Sequence, residues 1–258
     1  MPTNAEKAAE LLRLHTDPEL LTVVNVWDVI TATVVADLPG TKALATASHS
    51  IAASYGYADG ENIPVDTMIE AVGRIAAAVS VPVSADLEGG YGDAGETTRK
   101  AIGVGIVGAN LEDQMKPLDQ AVAAVRAVVA AGEAEGVPFV LNARTDAFVK
   151  AGDRDRAEVL ADAVERGRAY LDAGAPVVFV PGKLDESEVE ALVAAYGPQC
   201  LTTIAIPGTP SLARLEELGV ARVSFGPLSQ NVALTALAEL VEGVQEGRGV
   251  PASMRVLN

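Results

Sequence analysis

Apolar residues recur along the chain in two alternating rhythms. Short continuous runs stand at Leu21 to Val26, Lys42 to Ala47, Val81 to Ala85 and Gly108 to Leu111. Four more follow at Phe139 to Ala143, Val177 to Val180, Leu201 to Ala205 and Arg222 to Phe225. Unbroken Val, Ile, Leu and Ala over so few residues predict strands buried on both faces. Longer Ala-rich stretches with helical spacing lie at Asn4 to Leu14, Val65 to Val79, Ala94 to Val104 and Leu118 to Glu135. The same spacing continues at Arg154 to Ala173, Asp185 to Tyr196, Pro210 to Leu218 and Leu228 to Gln245. Asn4 reads as the cap of the first helix. Strict alternation implies parallel strands joined by crossover helices. Eight such units predict an α/β fold of the closed (β/α)₈ type, with an open doubly wound sheet as the alternative.

The length of 258 residues suits one barrel. No linker or composition break divides it, so residues 1–258 read as one domain, with an N-terminal helix in 1–20 and a C-terminal helix and tail in 228–258. Hydrophobic residues make up 49% and charged residues 21%, which fits a globular protein. A net charge of −16 argues against nucleic acid and against an anionic membrane face as partners. No run is long enough to span a bilayer and no signal peptide is visible, so a cytoplasmic location is expected. One Cys and two His make a zinc site improbable, and a bound metal should be a hard cation held by oxygen.

Barrel enzymes carry their chemistry at the carboxyl ends of the strands. Reading those ends gives Trp27 and Asp28, then Ser48, His49 and Ser50 with Tyr57 and Asp59 beyond. Next come Asp86, Glu88 and Gly89, then Glu112 and Asp113, then Arg144 and Asp146. Carboxylates crowded on one rim repel unless a cation sits among them. Asp86, Glu88 and Glu112 are the candidate metal set, for Mg²⁺ or Mn²⁺ with retained waters. Taken singly, each acid also reads as a helix cap. Arg144 reads either as a salt-bridge partner or as a bidentate clamp for a substrate carboxylate. Ser48 to Ser50 read either as a turn or as donors to an oxyanion. Gly103 to Gly108 match G-x-G-x-x-G, but they follow a helix and lead into a strand, the wrong order for a dinucleotide site. Cys200 begins a strand and reads as a small buried hydrophobe, and His15 reads as exposed.

The run Ser84-Ala85-Asp86-Leu87-Glu88-Gly89-Gly90-Tyr91-Gly92 resembles the metal-site segment of the isocitrate lyase/phosphoenolpyruvate mutase superfamily. Gly108-Ala109-Asn110-Leu111-Glu112-Asp113-Gln114 resembles its second acidic motif, and Ala143-Arg144-Thr145-Asp146-Ala147 its substrate-clamping segment. Ala45 to Ser50 with Gly56 to Gly60 resemble the loop that binds the substrate's carboxylate and oxo oxygens. The resemblance spans about Val24 to Phe225.

It implies a (β/α)₈ barrel whose last helix is swapped between subunits of a dimer or tetramer. It implies Mg²⁺ (or Mn²⁺) held directly by Asp86, with Glu88, Glu112 and Asp59 reaching it through water. Ser48, His49, Ser50 and Arg144 would bind a small oxo or hydroxy acid, with Trp27, Asp86 and Gly89 beside it. Arg144, Asp59, Ser48 and Tyr57 form the candidate catalytic set. Two family features are absent. The loop at Gln114 to Leu118 is short and lacks the Cys of the isocitrate lyases, and Val180 to Lys183 lack the His of the phosphomutases. With few proton-transfer groups, the expected activity is a lyase or decarboxylase reaction at a C–C bond beside an oxo group, through an enolpyruvate-like intermediate. The alternatives are P–C chemistry on phosphonopyruvate and oxo-acid binding without catalysis.

Overall fold

The computed structural model describes residues 2–257. It opens with α1 (Asn4–Thr16), β1 (Leu21–Val23), β2 (Asn25–Val26), α2 (Val29–Ala36), β3 (Leu44–Thr46), α3 (Ser48–Ser54) and α4 (Val65–Ala78). The middle runs β4 (Val83–Asp86), α5 (Ala94–Gly103), β5 (Gly108–Glu112), α6 (Leu118–Ala134), β6 (Val140–Arg144) and α7 (Arg156–Asp172). It ends with β7 (Val177–Phe179), α8 (Glu186–Tyr196), β8 (Leu201–Ile204), α9 (Leu212–Glu217), β9 (Arg222–Ser224) and α10 (Leu228–Gln245).

All strand pairs are parallel, in the order β1-β9-β8-β7-β6-β5-β4-β3-β2. The two ends of that order, β1 and β2, are parted only by Val24, so they form one broken stave and the ring closes on eight. This settles the fold as the (β/α)₈ barrel and removes the open sheet. Asn25 secures the break. Its Nδ2 donates to the Thr46 carbonyl at 2.9 Å, and its Oδ1 accepts from the amides of Phe225 and Gly226 at 2.9 and 2.8 Å. One continuous core, from Ala8 to Val223, fills the space between the ring and its helices.

Helix α1 closes the amino end of the barrel. A side chain at Gly108 would strike Leu11 Cδ2 and the Val140 carbonyl, both at 2.8 Å, so the close seat of α1 requires glycine there. His15 is fully buried in this helix, against the expectation of exposure. Its Nδ1 bonds the Leu11 carbonyl at 2.8 Å, while Nε2 has no partner. The missed signal is spacing: Leu11, Leu14 and His15 share the buried face. The helix is capped by Thr3 with a capping box to Glu6, one residue earlier than Asn4.

Helices α2 and α3 were not expected. The α2 sequence, VITATVVA, is β-branched and apolar all round, so no helical period shows. Its legible signal is the capping box between Asp28 and Thr31. Helix α3 is short and its first residue carries no side-chain cap. The stretch at Gly103 to Gly108 is a helix stop running into β5, as its order required. Cys200 lies just before β8 and is half-buried rather than fully buried.

Candidate active site

A cavity of about 310 Å³ opens over the carboxyl ends of the strands. Its polar side includes Asn25, Ser48, His49, Asp59, Asp86 and Arg144. All but Asp59, which lies on the loop after α3, stand at or just past a strand end, because period-two alternation aims the last inward residue of a stave into the mouth of the barrel.

Asp86 ends β4. Its Oδ2 accepts from the Ser48 amide at 3.1 Å and the Ser48 hydroxyl at 2.7 Å, and its Oδ1 accepts from no group among the described residues. Ser48 thus orients the carboxylate, while Oδ1 is left for a ligand. The amides of His49 and Ser50, in the first turn of α3, likewise take no protein acceptor. First-turn N–H groups carry partial positive charge and favour an anion. The expected turn at Ser48 to Ser50 is therefore a helix start. The Ser50 hydroxyl is buried without a partner and lies outside the cavity lining.

Arg144 ends β6. Its Nη1 pairs with Glu112 Oε2 at 3.1 Å and its Nε with Asp146 Oδ1 at 2.8 Å. Burial works against its charge, but Glu112, Asp146 and Asp86 outweigh it and raise its pKa. The guanidinium is thus fixed from behind, with Nη2 free of any protein acceptor. Arg144 is a salt-bridge partner, and it also lines the cavity. Burial lifts Glu112 to about 7, helped by Asp146 and Asp86 and opposed by Arg144.

Of the three acids grouped as metal ligands, only Asp86 lines the cavity. Glu88 is turned away and buried. One oxygen accepts from the Tyr91 hydroxyl at 2.7 Å and the other from the Glu61 amide. Burial raises its pKa more than these bonds lower it. Glu112 accepts from Gln114 at 3.3 Å and pairs with Arg144. Among the described residues no three acids, His or Cys stand in a ligating group. Asp86 and Asp59 are the carboxylates of the lining available to a cation. Asp113 is a structural hub: it accepts from the amides of Met115 and Asp146, from Tyr170 at 2.7 Å and from Arg166 at 3.2 Å.

The structure does not bring Trp27, Tyr57 or Gly89 to this cavity. Trp27 lines a separate apolar groove between α2 and α10. Tyr57 is exposed on the loop after α3. A side chain at Gly89 would meet Gln114 Nε2 at 2.5 Å, so its lack of one serves loop packing. Missed residues include Asn25 and Asn110, each a polar residue inside an apolar run, which is the signal that marks them.

Fold and cavity together define a (β/α)₈ barrel with its pocket at the carboxyl rim. The family model described as phosphoenolpyruvate phosphomutase matches residues 11–245, and the chain belongs to that family. An uncharacterized protein of Mycobacterium tuberculosis H37Rv is 32% identical over 244 residues, covering 93% of this chain and 91% of its own. The 2,3-dimethylmalate lyase of Eubacterium barkeri is 28% identical over 250 residues, covering 90% and 84%. A solved structure from Burkholderia cenocepacia J2315, described provisionally as a phosphonomutase, is 40% identical with a TM-score of 0.86, covering 93% and 98%. The family model and the relatives named as a lyase and a phosphonomutase make this chain a member of an enzyme superfamily of lyases and mutases.

Proposed function

We propose that the chain is a Mg²⁺-dependent lyase or decarboxylase acting on a C–C bond beside the oxo group of a small oxo or hydroxy acid. The observation that carries this reading is the meeting of Asp86, with Oδ1 unclaimed, Ser48 and His49 at the start of α3, and Arg144 in one cavity lining. The donor set fits a hard cation, since it offers only oxygen and one Asp86 oxygen is unclaimed. Asp86 would hold the ion, with Asp59 across the cavity and Glu88 and Glu112 behind. When bound, Mg²⁺ (or Mn²⁺) would stabilise negative charge developing on the oxo oxygen.

The chain's own groups do the rest. The His49 and Ser50 amides hold the substrate carboxylate. Arg144, locked by Glu112 and Asp146, orients the oxo-acid plane. Ser48 keeps Asp86 in place. Decarboxylation needs no base to begin, which suits a cavity where His49 is the one imidazole in the lining. The relatives named oxaloacetate decarboxylase and 2,3-dimethylmalate lyase support the same class.

The test is product analysis with Mg²⁺ or with chelator, offering oxaloacetate and alkylated malates. Pyruvate or another 2-oxo acid should appear only with the metal. Phosphonopyruvate followed by phosphorus NMR supplies the opposing arm: release of phosphate or phosphoenolpyruvate there, with no C–C cleavage, overturns the proposal.

A second copy of this chain is the proposed partner. Val232, Leu234, Leu237, Val241 and Val244 of α10 are exposed, beside the apolar groove it shares with α2. Light scattering should give a dimer or tetramer mass, and Leu237→Glu should reduce it. Among the described residues no helix is long and apolar enough to cross a membrane.

A further inference from the structure

The loop of residues 55–62 joins α3 to α4 and carries Asp59 to the cavity. None of it belongs to the core, and every residue in it is exposed except the half-buried Glu61. Its own hydrogen bonds stay local. The Tyr57 amide donates back to the Ala52 carbonyl at 2.9 Å, and Asn62 Nδ2 donates to the Asp59 carbonyl at 2.8 Å. Without apolar contacts to anchor it, such a loop needs another hold if a carboxylate is to stay over the cavity.

Glu61 supplies that hold. Its amide donates to Glu88 Oε2, and its own Oε1 accepts from the Tyr91 amide at 2.5 Å. The Tyr91 hydroxyl closes the ring on Glu88 Oε1 at 2.7 Å. Gln114 Nε2, seated over Gly89, reaches Glu61 Oε2 at 3.4 Å and Glu112 Oε1 at 3.3 Å. Among the described residues, every hydrogen bond that ties this loop to the segments after β4 and β5 passes through Glu61. Glu61, Glu88, Tyr91 and Gln114 all stand at positive φ, which non-glycine residues keep only where their surroundings fix them. Glu61 itself is not part of the cavity lining.

We infer that Glu61 is a positioning residue: it docks the loop onto the segments after β4 and β5 and so sets where Asp59 stands in the cavity. This rests on the reading that Asp59 and Asp86 face a cation. It adds a residue that stays outside the cavity and acts through Asp59. Glu61→Gln keeps an oxygen for the Tyr91 amide and loses only the charge, whereas Glu61→Ala loses both.

The experiment is calorimetric titration of Mg²⁺ alone into the intact protein. It compares the wild type with Asp86→Ala, Asp59→Ala, Glu61→Ala, Glu61→Gln, and Asp59→Ala combined with Glu61→Ala. Groups that orient a metal site from behind are worth about 10- to 100-fold in affinity. Asp59→Ala and Glu61→Ala should each weaken Mg²⁺ binding by about tenfold. Glu61→Gln should stay near the wild type, and the combined variant should bind no more weakly than Asp59→Ala, because the loop then has no carboxylate to place. Amide exchange at Tyr91 should quicken in Glu61→Ala and not in Glu61→Gln. Equal losses in Glu61→Ala and Glu61→Gln would mean that charge alone acts, and would overturn the inference. So would additive losses in the combined variant, or unchanged affinity in Asp59→Ala or Glu61→Ala, while the cation reading stood. A wild type that does not bind Mg²⁺, or an Asp86→Ala variant that binds it as well as the wild type, overturns the cation reading and the inference with it.

Discussion

The two ends of the barrel bury charge in opposite ways. At the carboxyl rim, Asp86, Glu88, Glu112, Asp146 and Arg144 crowd together, each carboxylate given a donor, with Asp86 and Arg144 left facing a cavity. At the amino end, Arg222 lies alone and fully buried. Its Nη1 reaches Ser84 Oγ at 3.3 Å, while Nε and Nη2 have no partner. Burial holds its pKa down to about 10, with Asp86 pulling the other way. Helix α1 seals that end with a neutral His15, also lacking one partner. Backbone strain follows the same division. Of the six non-glycine residues at positive φ among the described residues, Glu61, Glu88, Tyr91, Gln114 and Met115 belong to rim loops. Such conformations cost of order 1 kcal/mol each and gather where geometry is held for a ligand. The rim spends stability on an accessible arrangement, whereas the floor hides its polar groups from everything.

If that division is right, rim and floor variants should fail in different assays. The largest effect is expected from Asp86→Ala, with turnover falling by on the order of 10³-fold as the metal-facing oxygen is lost. Its Tm should hold or rise, because one carboxylate leaves a crowded set. Arg222→Met should do the reverse, keeping turnover within about tenfold and gaining about 1 kcal/mol by removing an unpaired buried charge. Denaturant melts beside initial rates check both. An inactive Arg222→Met with native stability would show that the floor cation acts on Asp86 and would break the division.

Next in size is Arg144→Lys. An ammonium cannot hold Glu112 and Asp146 while presenting a planar fork, so kcat/KM should fall on the order of 100-fold. Smaller again is Glu88→Gln. Glu88 fastens the Glu61 loop to Tyr91 and does not face the cavity, so about a tenfold loss is expected. Faster amide exchange at Glu61 should accompany it. Loss comparable to that of Asp86→Ala would instead return Glu88 to the metal.

The sequence made this rim far more legible than the floor. Strand ends are easy to find in an alternating chain, and the polar residue that closes a mostly apolar run faces the mouth. Asp86, Arg144 and Ser48 follow from that rule. What the rule cannot give is direction beyond the strand. Glu88 and Glu112 stand at strand ends, yet loop backbone at positive φ and the salt bridge to Arg144 turn them from the cavity. The apolar part of the cavity lining is not legible in the sequence, because Phe179 and Ile204 look like ordinary core until the layer they occupy is known. Arg222 opens a strand, where a cation reads as solvated surface, and only the arrival of α1 closes it in.

The effect most specific to the floor is the pH dependence set by His15. Burial pushes its pKa down to about 3, and the charge of Arg222 pushes the same way, against the bond to the Leu11 carbonyl. The unfolded chain therefore binds a proton near the ordinary value of about 6.5, while the folded chain refuses it. Stability from this residue is complete above that value and is lost as pH falls toward 3. The slope approaches about 1.4 kcal/mol per pH unit within the window. Glu112 on the rim acts in the opposite sense. Its raised pKa means that it loses stability as pH climbs from about 4.5 to about 7, so the two slopes oppose each other where they overlap. His15→Gln retains a polar side chain of similar reach but cannot titrate. Urea melts from pH 4 to 7 should show the wild type losing stability relative to the variant toward acid by nearly that slope, because the Glu112 contribution is common to both. Identical acid limbs would mean that His15 is already protonated when folded, and that the floor is open to water rather than sealed.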